Sequence, residues 1–164
     1  MFDALVLGVD PGVAATGLAV VARSGPEVVW ADTVRTPPRL AEPDRLRRVH
    51  AAVRAAIAEH RPGAVALESV RWNRNVSSAM GVARASGVVL LAAAEAGVPV
   101  EEYEPLEVKM AVTGSGRADK QQVRRALVRA HGLAGVPEGA DAVDAVAVAL
   151  CHLTRSRLRG AAAR

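Results

Sequence analysis

Four acidic residues stand at the edges of apolar segments, where a carboxylate is costly unless it is paired. Asp10 ends an apolar run over residues 5–9 and opens the turn Asp10-Pro11-Gly12, while Glu68 ends the run Ala64-Val65-Ala66-Leu67. Asp141 and Asp144 stand three apart in Gly139-Ala140-Asp141-Ala142-Val143-Asp144-Ala145, and the residues that follow are apolar through Leu150. A helix over that segment puts both on one face, one turn apart. Each has an ordinary reading too. Asp-Pro-Gly is a turn signal, and acidic residues favour the first turn of a helix, which accounts for Asp141 better than for Asp144. Two strand ends and a buried helix start can bring the four together, and converging carboxylates repel until a proton or a cation neutralises them. With no His or Cys in the set, hard oxygen donors select Mg²⁺ or Mn²⁺ over zinc. Two such ions about 4 Å apart activate a water and stabilise a leaving oxygen in phosphodiester hydrolysis. The implied chemistry is that of a nuclease.

The elements that must position these residues follow from hydrophobic periodicity. Strands are expected over residues 5–10, 17–22 and 27–34, joined by short turns into an antiparallel meander. Pro37, Pro38 and Pro43 then mark a loop, and a helix over 44–60 places Leu46, Val49, Val53, Ala56 and Ile57 on one face. A strand over 64–68 precedes a helix over 75–96. There Val76, Ala79, Met80, Ala83, Gly87, Leu90, Leu91 and Ala94 form the apolar stripe, with Gly81, Ala85, Val88 and Val89 on the remaining surface. So apolar a helix is either sandwiched within the domain or shared with a second copy. A strand over 98–103 and helices over 105–112, 118–131 and 140–154 complete the order β-β-β-α-β-α-β-α-α-α, an α/β fold with a mixed five-stranded sheet flanked by helices.

One domain is expected over residues 1–155, followed by a basic, alanine-rich tail at 156–164 that frays. A chain of 164 residues buries a substantial core without disulfides, and with one Phe, one Tyr and two Trp that core is aliphatic. The 21 Lys and Arg outnumber 17 Asp and Glu, and the pI near 10.2 favours an anionic partner such as nucleic acid, although a high-GC genome also enriches arginine. Cys151 is the only cysteine, which excludes an intrachain disulfide and a thiolate metal cluster and makes it an inert core residue. No run approaches the roughly 20 apolar residues that span a bilayer, and no cleavable leader opens the chain, so a soluble, cytoplasmic protein without a membrane partner is expected.

In order and spacing, Gly8-Val9-Asp10-Pro11-Gly12 with Thr16-Gly17, Ala66-Leu67-Glu68-Ser69-Val70, and the segment 139–145 resemble the RuvC family of Holliday-junction resolvases, which have the RNase H-like fold. The resemblance runs from Leu5 to about Leu153. It implies a homodimer that binds four-way junction DNA and makes paired nicks in recombination and repair, in the bacterial cytoplasm at the nucleoid, alongside a branch-migration motor. It implies further that Asp10, Glu68, Asp141 and Asp144 are the catalytic metal ligands for one or two Mg²⁺ (or Mn²⁺) ions. Lys109 and Lys120, the only lysines in the chain, look like the family's basic positions near the scissile phosphate. The chain departs from the family three residues after Glu68, where an aromatic residue is common and Arg71 stands here, followed by Trp72. Either Trp72 or the guanidinium plane of Arg71 would stack on a base at the junction centre. Arg74, Asn75, Ser115, Gly116 and Arg117 are further candidate DNA contacts.

Two alternatives are weaker. The actin-like sugar kinase and chaperone ATPase superfamily opens on a similar strand-Asp-Gly loop but needs two such domains, and residues 114–120 lack the Gly-Lys-Ser/Thr ending of a P-loop. A catalytically silent dimer that binds branched DNA would gain by losing carboxylates from its phosphate groove, yet all four are present.

Overall fold

In the computed structural model, which describes residues 5–25, 27–70 and 76–162, β1 (Leu5–Asp10), β2 (Ala15–Ala22) and β3 (Val28–Arg35) form an antiparallel meander. β4 (Ala64–Glu68) joins β1 in parallel and β5 (Val100–Tyr103) joins β4 in parallel, giving the strand order β3-β2-β1-β4-β5. The helices are α1 (Glu42–His60), α2 (Val76–Glu95), α3 (Pro105–Thr113), α4 (Lys120–Arg129) and α5 (Ala140–Ala162). The expected element order and mixed five-stranded sheet are the ones observed. Among the described residues no helix is long and apolar enough to cross a membrane.

Strand alternation sorts the core into two layers. Leu7, Val9, Leu18, Val20, Val65 and Leu67 pack with Val49, Val53 and Ile57 of α1 and Val89, Ala92 and Ala93 of α2. Val6, Ala19, Val21 and Ala66 face the other way and pack under α5 with Val146, Ala149 and Leu150. Gly8, Asp10 and Glu68 share the parity of this second face.

Two bare glycines let α5 lie directly on the sheet. A Cβ at Gly8 would overlap the Ala145 carbonyl oxygen and stand 2.9 Å from the Ala149 Cβ, and one at Gly17 would overlap the carbonyl oxygen of Asp141. The start of α5 is thereby pressed onto the ends of β1 and β2. Gly8→Ala is expected to cost about 2–3 kcal/mol by forcing α5 outward, a fall in Tm of roughly 5–10 °C in a thermal melt. An unchanged Tm would mean that α5 rides more loosely than these contacts require.

Three expectations need correction. Pro43 belongs to the first turn of α1, which begins at Glu42, because a proline at the start of a helix removes only an N–H that has no intrahelical partner. The helix expected to end near Thr154 continues to Ala162. Arg155 reaches Glu107 at 2.7 Å and Arg23 donates to Ser156 Oγ at 2.8 Å, so the turn beyond Thr154 is tied to α3 and to the end of β2.

The third correction concerns the faces of α2. Ala85, Ser86, Val89, Ala92 and Ala93 are buried, whereas Met80, Gly87, Leu90, Leu91 and Ala94 from the expected core stripe are exposed. Small residues face inward because α2 packs closely against α1, and the bulkier ones are left outside.

Candidate active site

β1 and β4 run parallel with Val9 opposite Leu67, so Asp10 and Glu68, one residue further on, leave the same end of the sheet on the same face. The two carboxyl groups lie close enough for each to act on the other's charge. Burial, followed by the charges of Glu68 and Asp144, pushes Asp10 up to about 8. Glu68 is also raised, chiefly by burial. The pair therefore holds one proton at neutral pH.

The antiparallel partner of Asp10 is Gly17, and the Asp141 carbonyl sits against that bare glycine. Asp141 thus comes alongside Asp10, with Asp144 one helical turn further on. Lys120, the first residue of α4, donates from Nζ to Asp144 Oδ2 at 2.8 Å, and this hydrogen bond raises the lysine's pKa. Asp119 caps α4 and fixes where Lys120 emerges: its side chain accepts from Gln122 N at 2.8 Å while Gln122 Oε1 accepts from Asp119 N at 2.8 Å. Lys109 of α3 joins Asp10, Glu68, Lys120 and Asp144 around a cleft of about 360 Å³ walled by Pro105, Val108, Val123 and Ala147. Its charge draws the Glu68 carboxyl downward, against the effect of burial. On the far side, Arg35 Nη2 stands 3.8 Å from Asp141 Oδ2.

The turn behind Asp10 is held from within. Buried Thr16 donates from Oγ1 to the Gly12 carbonyl at 2.6 Å and accepts from Gly12 N at 3.3 Å. Thr36, also buried, donates to the Val13 carbonyl and accepts from Arg45 Nε at 3.0 Å. A Cβ at Gly12 would overlap the Ala15 carbonyl oxygen, so glycine is required for the turn to close this tightly.

Four carboxyl groups here face the cations Lys109, Lys120 and Arg35, and Asp10 keeps its proton up to about pH 8. The donors are all oxygen, which fits a hard divalent ion such as Mg²⁺ or Mn²⁺. Among the described residues no three acidic, His or Cys side chains already stand as a metal cage. Lys120 holds Asp144 and burial keeps a proton on Asp10, so these four carboxylates would hold an ion in competition with an ammonium group and a proton.

Asp10, Glu68, Asp141, Asp144, Lys109 and Lys120 are thus brought together. Ser115 and Arg117 are exposed in the α3–α4 loop, while Gly116 packs on Leu106, where a Cβ would overlap the leucine side chain. Arg71, Trp72, Arg74 and Asn75 lie outside the described residues. No histidine joins the site: His50 meets Glu95, His60 stacks near Trp30, His131 meets the Val112 carbonyl and His152 meets the Tyr103 hydroxyl. Cys151 is buried, and burial pushes its thiol up to about 11, as befits an inert core residue. Arg35 is the site residue that sequence reasoning missed. Its signal was a cation on the last residue of a strand, which only strand register connects to Asp141.

A mixed sheet in this order, with carboxylates at the ends of its central strands and at the start of a helix laid across them, defines a class: metal-dependent phosphodiester hydrolases of the RNase H-like fold. The family model for "Crossover junction endodeoxyribonuclease RuvC" matches residues 6–152, and the chain belongs to the RuvC family. The crossover junction endodeoxyribonuclease RuvC of Frankia alni is 50% identical over 164 residues, covering 96% of this chain and 83% of the relative. That of Salinispora arenicola is 48% identical over 167 residues, covering 97% and 95%. The structure of T. thermophilus RuvC in complex with Holliday junction substrate superposes with a TM-score of 0.86 at 38% identity, covering 95% of this chain and 96% of that one.

Proposed function

We propose that the chain is a crossover junction endodeoxyribonuclease that resolves four-way DNA junctions in recombination and repair, with Asp10, Glu68, Asp141 and Asp144 as its catalytic metal ligands. The convergence of Asp10, Glu68 and Asp144 with Lys109 and Lys120 on one cleft of a RuvC-family chain, with Asp141 near Asp10, carries this reading. One or two bound Mg²⁺ ions, or Mn²⁺ in their place, supply an activated water and offset charge on the leaving oxygen. The protein's part is to hold the substrate. Lys120 exchanges Asp144 for a phosphate oxygen, and Lys109 faces the same phosphate across the cleft. Ser115, Gly116 and Arg117 contact the backbone beside it. Arg74 and Asn75 are further backbone contacts in this reading, and Arg71 or Trp72 stacks at the junction centre.

Paired nicks need two sites, hence a second copy of the chain. The exposed side of α2 supplies the surface: Met80, Leu90 and Leu91 stand out, with Gly87 and Ala94 between them allowing close approach. Leu91→Glu is expected to give a monomer in sedimentation and to lower paired nicking about tenfold or more while single nicks persist; a dimer with normal paired nicking would move the interface elsewhere. A branch-migration motor as partner and a cytoplasmic site of action at the nucleoid rest on family membership alone.

The direct test compares a mobile four-way junction with linear duplex, in Mg²⁺ and in chelator. Junction-selective cleavage that chelator abolishes is the expected result. Equal cleavage of both substrates sinks the proposal.

A further inference from the structure

We propose that Arg35 positions the substrate by holding a backbone phosphate of the cleaved strand on the side of the active site opposite Lys109 and Lys120. This rests on the four carboxylates being the hydrolytic centre.

The placement follows from register. Gly17 pairs with Asp10 on one side and with Thr33 on the other, and Arg35 pairs with Ala15 two residues further along. Ala31 packs on the α5 layer and Thr33 lies beneath Gly139, so the alternating side chains of β3 carry Arg35 onto the same face, beside the first turn of α5. Lys109 and Lys120 come from α3 and α4, beyond the carboxylates from β3. A strand laid across the four carboxylates therefore has a lysine pair on one flank and a guanidinium on the other.

The way Arg35 is held separates it from the structural arginines. Arg54 meets Glu95 at 2.7 Å and Arg155 meets Glu107 at 2.7 Å, both within hydrogen-bond distance. Arg35 stops 3.8 Å from Asp141, and its side chain is 72% exposed. An ion pair so long and so wet adds little to stability, so stability does not explain an arginine here. What the contact does is keep a planar fork of donors near the acidic centre with most of those donors open to solvent. That fork matches the paired oxygens of a phosphodiester better than an ammonium group does. Once Asp141 is neutralised, the carboxylate that competes for this cation is gone and an anionic backbone takes its place.

The test uses full-length Arg35→Ala and Arg35→Lys on four-way junctions in which a neutral methylphosphonate replaces, one at a time, each phosphate flanking the cleavage site. Arg35→Ala is expected to slow single-turnover cleavage at saturating protein about ten- to thirtyfold and to reduce the salt slope of junction binding by about one per protomer, with Arg35→Lys intermediate. One methylphosphonate position should slow the wild type by a similar factor and leave Arg35→Ala unaffected. Calorimetric Mn²⁺ affinity of the DNA-free protein should be unchanged or stronger in Arg35→Ala, since a competing cation is lost. Wild-type cleavage and salt slope in Arg35→Ala would overturn the proposal. So would weakened Mn²⁺ affinity with no position-specific methylphosphonate effect, which would make Arg35 a support for Asp141. Asp10→Asn in parallel separates the two levels: if it cleaves normally the hydrolytic centre is misplaced, and if it is inactive while Arg35→Ala is indistinguishable from wild type, the Arg35 assignment alone fails.

Discussion

Asp10→Asn is expected to lower junction cleavage about a thousandfold or more while making the metal-free protein more stable at alkaline pH. The two effects share a cause. Asp10 stands in the middle of the cluster, against Glu68 on one side and beside Asp141 and Asp144 on the other, so its charge is the least welcome until a cation arrives. Its carboxyl is raised from 3.8 to about 8, so the folded protein binds this proton more tightly than the unfolded chain does. The stability that goes with the raised value is complete below about pH 4 and is lost as pH rises through about 8. Asparagine keeps the shape and carries no charge to desolvate. At pH 8.5 without metal the variant should be about 1–2 kcal/mol more stable than wild type, a gain reduced because Asp10 is only partly buried, and near pH 4 the two should melt together. Adding Mn²⁺ should reverse the order at pH 8.5, since only the wild type retains the full ligand set. Thermal melts at the two pH values, with and without Mn²⁺, check this. A variant less stable than wild type at both pH values would show that Asp10 supports the fold by contacts other than its charge.

Divalent-ion binding is expected to be strongly pH-dependent below pH 8, and in one direction only. The ion and the proton on Asp10 compete for the Asp10–Glu68 pair, where that proton persists up to about pH 8. The apparent Mn²⁺ affinity of the DNA-free protein should therefore fall about tenfold for each unit of acidification, roughly a hundredfold between pH 8 and pH 6, and level off above pH 8. Calorimetry in buffers of different ionisation enthalpy should find about one proton released per site at pH 6.5 and almost none at pH 9. In Asp10→Asn the pair no longer exists, so both the release and the slope should shrink together with the affinity. Affinity that is flat from pH 6 to 8 would mean that the carboxylates are already ionised without metal, and that the lysines alone balance them.

Much of the fold is written in local signals. Leu5 to Val9 and Ala64 to Leu67 are short apolar runs bounded by turn residues, and both are the strands they resemble. The capped starts of α3 and α4 and the left-handed Arg61 after α1 are likewise properties of a few neighbouring residues. α2 was readable as a helix and misleading as to its faces. It is apolar nearly all round, so periodicity carries no direction, and the side that α1 can approach closely decides which residues are inside.

The carboxylates were legible for a different reason. A charge at the end of a buried run, or inside a buried helix, is costly wherever the run is placed, so Asp10, Glu68 and Asp144 declare themselves one segment at a time. Their types and spacing determined the donor chemistry and the family. Only the tertiary structure decided which cation meets which carboxylate. Lys120 reaches Asp144, and Arg35 stops short of Asp141, because Gly8 and Gly17 let α5 sink onto the sheet and because the β2–β3 register carries Arg35 to the rim beside it. Those distances depend on close approaches between segments far apart in the chain, and no local propensity encodes them.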